Sequence, residues 1–317
     1  MKILVTPTSM CANQDSPALV KLKEYSSDLV FNTTGKPLEG EALISLLQGC
    51  DGYIAGLDGV TREVMEKCPD LKAVSRYGVG CDRVDLKAAR ELKINVANTP
   101  GANSQSVAEL AFGMLIAIAR QIPYLHETTK EGKWVRTTGS ELFGKTIGIV
   151  GLGAIGKRVA KCCSGFDMKI LSYDPYMNED YCRENGIIST TLEDLLANSD
   201  FVTLHLPLND ATRHLIDKKA IALMKKGAIL VNASRGGIID EDAAYEALKS
   251  GHLGGLGLDA FEKEPPENSP LFGLDNVVLT PHAGAHTKEA VDRMAEMAVE
   301  NLVEMLEGHD CKYIVNK

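Results

Sequence analysis

Aromatic residues make up only 5% of the 317 residues, with a single tryptophan, and no run of Lys or Arg exceeds two residues. The formal net charge is −9. Polyanions and anionic bilayers are recognised by clustered positive charge, so neither nucleic acid nor a membrane surface is an expected partner. Long apolar runs are missing too. The longest, Leu110–Ala119, is about half of the roughly 20 residues that span a bilayer. The first residues, Met1-Lys-Ile-Leu-Val-Thr-Pro7, lack the apolar core of a secretory signal. Eight cysteines, at 11, 50, 68, 81, 162, 163, 182 and 311, show no paired zinc-ligand spacing. No metal is expected, and reduced thiols in a cytoplasmic protein are.

What the chain does have is glycine, 29 residues of it, in a composition that is 44% hydrophobic and 24% charged. Its length predicts two domains. Short Val/Ile/Leu-rich runs alternate with helical patterns, which predicts an α/β protein with parallel sheets and crossover helices. The first set of runs is Ile3–Thr6, Leu29–Asn32, Tyr53–Ala55, Ala73–Arg76 and Asn95–Asn98. The second is Thr146–Val150, Lys169–Tyr173, Phe201–His205, Ala228–Ala233, Gly255–Asp259 and Val277–Thr280. Each set can build its own doubly wound sheet. A Pro/Gly breaker at Asn98–Gly101 precedes a helix predicted over about Ser104–Arg120, and another is predicted over Lys288–Leu306. The expected domains are 1–98 with 286–317, and 99–285.

Gly151-Leu-Gly153-Ala-Ile-Gly156 follows an apolar strand and opens a helix, the context a dinucleotide-binding motif requires. Gly151 permits the tight turn, Gly153 lets backbone approach a pyrophosphate, and Gly156 permits close helix–strand packing. The next strand ends at Asp174, eighteen residues past Gly156. A carboxylate there accepts from both ribose hydroxyls and repels a 2′-phosphate, which favours NAD. His205, before Leu206-Pro207, ends another strand near that site and reads as positional.

Three further strand endings carry chemistry. The apolar run Ala228–Asn232 leads into Ala233-Ser234-Arg235-Gly-Gly. Arginine is almost never buried without an anion, so Arg235 meets either a carboxylate-bearing substrate or a local carboxylate such as Asp240. Leu258-Asp259-Ala-Phe-Glu-Lys-Glu264-Pro ends in an acidic loop, and Val277–Thr280 runs into Pro281-His282-Ala-Gly284. Alone, Glu264 could be a solvated charge and His282 a structural histidine. Parallel strands would bring all three endings to one crevice, where His282 could accept a proton during hydride transfer from an alcohol carbon. A neighbouring carboxylate favours the imidazolium, and Glu264 fits that role.

Together with Ser75–Asp85 and Asn98–Glu109, these stretches resemble the D-isomer-specific 2-hydroxyacid dehydrogenases, in particular the phosphoglycerate dehydrogenase branch, over nearly the whole chain. The resemblance implies a flavodoxin-like substrate domain and a Rossmann NAD-binding domain. It implies that Arg235 holds the substrate carboxylate, that His282 is the acid/base and that Glu264 is its partner. It places Val79, Ala154, Ile155, Asp174, Leu206, Pro207, Ala233, Ser234, Asp259 and Gly284 at the cofactor, together with the three glycines, His205, Arg235 and His282. It places Gly56, Leu57, Arg76, Tyr77, Gly78, Val79 and Asn103 on the substrate side with Arg235 and His282, and it implies a homodimer formed around the long helix after Asn103.

The implied substrate is a small 2-hydroxy or 2-oxo acid, D-3-phosphoglycerate first, in serine biosynthesis. Hydroxypyruvate, glyoxylate or D-lactate chemistry is the alternative. The phosphoglycerate branch often carries an arginine in the loop after the third strand, whereas this chain reads Gly56-Leu57-Asp58. Arg76 and Arg136 are the remaining candidates for a phosphate. No C-terminal regulatory domain is expected. An NAD-sensing corepressor-like protein on the same fold is the reading from another class. Trp134 either reaches a partner subunit or caps a helix.

Overall fold

The computed structural model describes residues 1–317, which form two compact units: Met1–Asn103 with Ala285–Lys317, and Ser104–Gly284. Residues 99–103 and Ala285, read from sequence as part of the second unit, fall in the first.

The first unit is built on strands β1 (Lys2–Val5), β2 (Asp28–Phe31), β3 (Gly52–Ala55), β4 (Ala73–Arg76) and β5 (Asn95–Ala97). All pair in parallel, in the order β2-β1-β3-β4-β5, the flavodoxin-like arrangement. Strands buried on both faces read as continuous apolar runs. Ile3, Val5 and Ile54 face one core cluster, while Leu4, Tyr53 and Val74 face the other. The Lys288–Leu306 helix lays Ala290, Met294, Ala298, Leu302 and Met305 onto this sheet, a stripe at helical spacing. Chain end and edge strand meet as well: Ile314 pairs antiparallel with Ala97, and Asn316 Oδ1 accepts from Val96 N at 2.9 Å. The β5 edge is therefore covered.

The second unit holds β6 (Thr146–Val150), β7 (Lys169–Tyr173), β8 (Ile187–Ser189), β9 (Phe201–Leu204), β10 (Ala228–Asn232), β11 (Leu253–Leu258) and β12 (Val277–Leu279). Their order is β12-β11-β10-β9-β6-β7-β8, all parallel. Strand order reverses between β6 and β9, and in such sheets ligands bind outside the strand carboxyl ends at that point. The Ser104–Ala119 helix is buried nearly all round and packs on the Ala154–Ser164 helix and on β10 and β11. The longest apolar run of the sequence is thus the core helix of this unit. No helix in the structure is long and apolar enough to cross a membrane. Strand β8 has no counterpart in the sequence reading; it is an edge strand with only Ile187 buried.

Candidate functional site

At the end of β6, Gly151 takes φ +96 and its amide donates to the Tyr173 carbonyl at 2.8 Å. A Cβ on Gly156 would run into the Gly151 carbonyl, so helix and turn touch through backbone. Gly153 is the N-cap of the Ala154–Ser164 helix, and nothing lies within 4 Å of where its Cβ would stand. Asp174 closes the turn from β7, accepting from Leu152 N at 2.7 Å and from Tyr176 N at 2.8 Å. His205 follows β9 with Nε2 3.0 Å from Thr203 Oγ1, and its Nδ1 is out of solvent without a partner. Burial pushes this imidazole down to about 3. It is held neutral.

The next ending belongs to β10. Buried Asn232 accepts from Ser234 N at 3.0 Å and from Ser234 Oγ at 2.7 Å, and donates through Nδ2 to the Arg235 carbonyl at 2.7 Å. This Asx turn fixes the backbone under Arg235, whose Nη1 donates to the Ser234 carbonyl at 2.7 Å. Sequence reasoning passed over Asn232, although an Asn two residues before a Ser-Arg-Gly turn is a usable signal. The Asp240 carboxylate, the local alternative for Arg235, caps the Glu241–Lys249 helix through Ala243 N at 2.9 Å.

From β11 and β12 come the remaining groups. His282 Nδ1 lies 3.0 Å from both Glu264 oxygens, with side-chain exposures of 27% and 35%. Burial by itself would raise the Glu264 carboxyl. The His282 hydrogen bond and charge, the Phe261 amide and the nearby Arg235 guanidinium outweigh it and hold Glu264 below its ordinary range. The histidine backbone is left-handed, φ +52, a region that non-glycine residues enter at a cost. Asp259 holds it there. Its carbonyl accepts from His282 N at 2.9 Å. Its nearly inaccessible carboxylate accepts from Thr280 Oγ1 at 2.6 Å, Ala283 N at 2.7 Å and Gly284 N at 2.8 Å.

The structure therefore gathers the glycine motif, Ala154, Ile155, Asp174, His205, Leu206, Ala233, Ser234, Arg235, Asp259, Glu264, His282 and Gly284 at the carboxyl ends of one sheet. The expected substrate-side residues lie at the strand ends of the first unit. Arg76 is buried, 7% exposed, with its guanidinium on the Tyr77 carbonyl and against Gly78. Gly56 N donates to Thr6 Oγ1 at 3.0 Å and to the buried Asp58 carboxylate at 2.9 Å, and Asp58 also accepts from Leu38 N at 2.7 Å. Asn98 Nδ2 donates to the Val79 carbonyl at 2.7 Å, and Asn103 keeps a buried, unbonded Oδ1. Trp134 caps no helix: it is 82% exposed, beyond the Glu131 end of the Ile122–Lys130 helix.

Residues 112–284 match the family model for the D-isomer-specific 2-hydroxyacid dehydrogenase NAD-binding domain. The chain is 46% identical over 260 residues to the D-3-phosphoglycerate dehydrogenase of Methanocaldococcus jannaschii, covering 81% of this chain and 50% of that one. It is 42% identical over 307 residues to the glyoxylate reductase of Korarchaeum cryptofilum, covering 94% and 92%. Among solved structures, the D-lactate dehydrogenase of Aquifex aeolicus in complex with NAD and lactic acid aligns with a TM-score of 0.85 at 30% identity, over 97% of this chain and 96% of that one. The chain thus spans about half of the first relative and nearly all of the other two.

Proposed function

The chain belongs to the D-isomer-specific 2-hydroxyacid dehydrogenase family, and we propose that it is an NAD-dependent enzyme reducing a short 2-oxo acid to its D-2-hydroxy acid. The carrying observation is the Glu264–His282 pair, 3.0 Å apart, on the same sheet end as Arg235 and the glycine motif. The open space beside Gly153 is a cradle that a Cβ would fill, which fits a pyrophosphate over the helix N–H groups. Asp174 would accept from the ribose hydroxyls. NADH, when bound, supplies the hydride for the substrate's C2.

The protein's own part is binding, orientation and proton delivery. The Arg235 fork binds the substrate carboxylate and polarises the oxo group. With Nδ1 occupied by Glu264, the imidazole offers Nε2 to the C2 oxygen and gives up its proton there. Glu264 steadies the imidazolium before transfer and fixes its tautomer.

The Gly56–Asp58 loop, which by the family resemblance faces the substrate tail, supports an unphosphorylated tail such as that of hydroxypyruvate or glyoxylate. Its Gly56 amide and buried Asp58 carboxylate are bonded to each other, so the loop brings no cation to that tail, and Arg76 is drawn onto the Tyr77 carbonyl. The 46% identity to a D-3-phosphoglycerate dehydrogenase supports the second reading, D-3-phosphoglycerate in serine biosynthesis. NADH oxidation with 3-phosphohydroxypyruvate, hydroxypyruvate, glyoxylate and pyruvate separates them. The first reading expects kcat/KM for hydroxypyruvate to equal or exceed that for its phosphorylated form; a tenfold preference for the phosphorylated acid would establish the second. No turnover on any of the four, with NADH bound, would restore a sensing role.

The same reading includes a homodimer. Ile122, Trp134, Val135 and Phe143, apolar and 36–82% exposed, lie within residues 122–143 and support a partner face there. Light scattering should give twice 34.2 kDa.

A further inference from the structure

Two glutamates outside the acid/base pair hold each other across the loop that presents Glu264. Glu241, first residue of its helix, donates its backbone N–H to Glu262 Oε1 at 3.2 Å. Glu262 returns the bond, donating its own N–H to Glu241 Oε1 at 2.6 Å. His214 Nε2 stands 3.1 Å from the same Glu262 oxygen. On the other side of the loop, the Phe261 carbonyl fills the space that a Cβ on Gly236 would need. The loop is therefore pinned twice, to the Arg235 turn by backbone contact and to the Glu241–Lys249 helix by the reciprocal pair. Between the pins and His282, Glu264 is steadied by the Phe261 amide at 3.1 Å.

Carboxylates this close repel, and their placement has a cost. Burial raises the Glu241 carboxyl; the Glu262 amide opposes this, and the charges of Glu262, Asp242 and Glu264 add to it. Glu262 faces Glu241 and His214, while Glu264 faces His282, Arg235 and Glu241. The reciprocal pair sits two residues from Glu264, on the loop that presents it to His282. Displacement of a catalytic group by about 1 Å can lower the rate by as much as about 10²-fold.

We infer that Glu241 and Glu262, with His214 behind them, are positioning residues that set where Glu264 stands against His282. The inference rests on the proposed roles of Glu264 and His282.

The test compares E262A, E262Q, E264Q and the double variant E262A/E264Q in the full chain with the best 2-oxo acid. E262A should lose about tenfold in kcat, with KM and the NADH dissociation constant within about twofold, because the Arg235 turn is held separately by the Asn232 side chain. E262Q keeps an acceptor for Glu241 N–H and should recover most of that loss. In the E264Q background, E262A should cost less than about threefold, since the group it positions has been altered. An equal loss in both backgrounds, no rescue by glutamine, or an unchanged kcat in E262A would overturn the inference. If E262A folds poorly, H214A in the two backgrounds decides by the same coupling. Failure of the underlying reading looks different: E264Q would then turn over like the wild type.

Discussion

The Gly284 amide donates to Asp259 Oδ2 at 2.8 Å across 25 residues of sequence, and two further donors from the same turn reach Oδ1. Asp259 is thereby the post to which the His282 turn is tied. It entered the sequence reading as a cofactor contact; in the structure its carboxylate is taken up by this turn.

Asp259→Asn should therefore damage both stability and rate. An amide in place of the carboxylate turns an NH₂ toward at least one of three donors, leaving buried groups unpaired. A loss of about 2–4 kcal/mol is expected in urea unfolding, with kcat down at least tenfold as His282 leaves its left-handed conformation. Wild-type kcat in a folded Asp259→Asn protein would remove the turn-holding role.

Arg235→Ala should cost about 10²–10⁴ in kcat/KM, the loss of one bidentate charge-assisted contact at roughly 3–5 kcal/mol. Arg235→Lys keeps the charge but not the fork and should stay well below wild type. NADH affinity, read by fluorescence titration, should fall far less than kcat/KM, since the glycine motif carries most of the cofactor contact. Near-normal turnover in the alanine variant would refute the assignment.

Gly153→Ala and Gly156→Ala should fail differently. A methyl at Gly153 meets open space in the protein and should leave the unfolding midpoint within about 0.5 kcal/mol. It would enter the proposed pyrophosphate cradle and weaken NADH at least tenfold. At Gly156 the methyl collides with the Gly151 carbonyl, so about 1–3 kcal/mol of stability should go as well. Equal NADH affinity in Gly153→Ala and wild type would place the cofactor elsewhere.

His205 predicts a pH effect on stability. Its folded value, about 3, lies below the ordinary 6.5. Between those values the unfolded chain binds a proton that the folded chain refuses, so stability falls as pH drops through that window. His205→Gln should flatten the urea midpoint between pH 6.5 and 4.5. Glu264, also lowered, adds its own loss only on further acidification below its unfolded value of 4.5. Parallel midpoint curves for variant and wild type would take His205 out of the account.

Much of the site was legible because its signals are short and contiguous. Gly151–Gly156 between strand and helix, the arginine after Asn232-Ala-Ser, and the proline before His282 each need only a few residues to be recognised. The Lys288–Leu306 helix showed its stripe directly. The reciprocal bond between Glu241 and Glu262 did not, since each looks like an exposed charge until a loop after β11 is brought against a helix after β10. Asp58, read as part of a loop without a cation, is a buried acceptor only because β1 and β3 pair and bring Thr6 beside Gly56.

By itself the sequence determined most of the strand inventory, β8 apart, the two long helices, and which side chains end the strands. Steric limits on φ and ψ and the burial of apolar runs act within a few residues, so they can be read locally. Only the tertiary structure decided which ends meet. The pairing of β9 with β6 puts Gly151 beside His205, and the β10-β11-β12 order puts Arg235, Asp259, Glu264 and His282 on one sheet end. Those meetings depend on strand pairing between residues tens of positions apart, which no local pattern encodes.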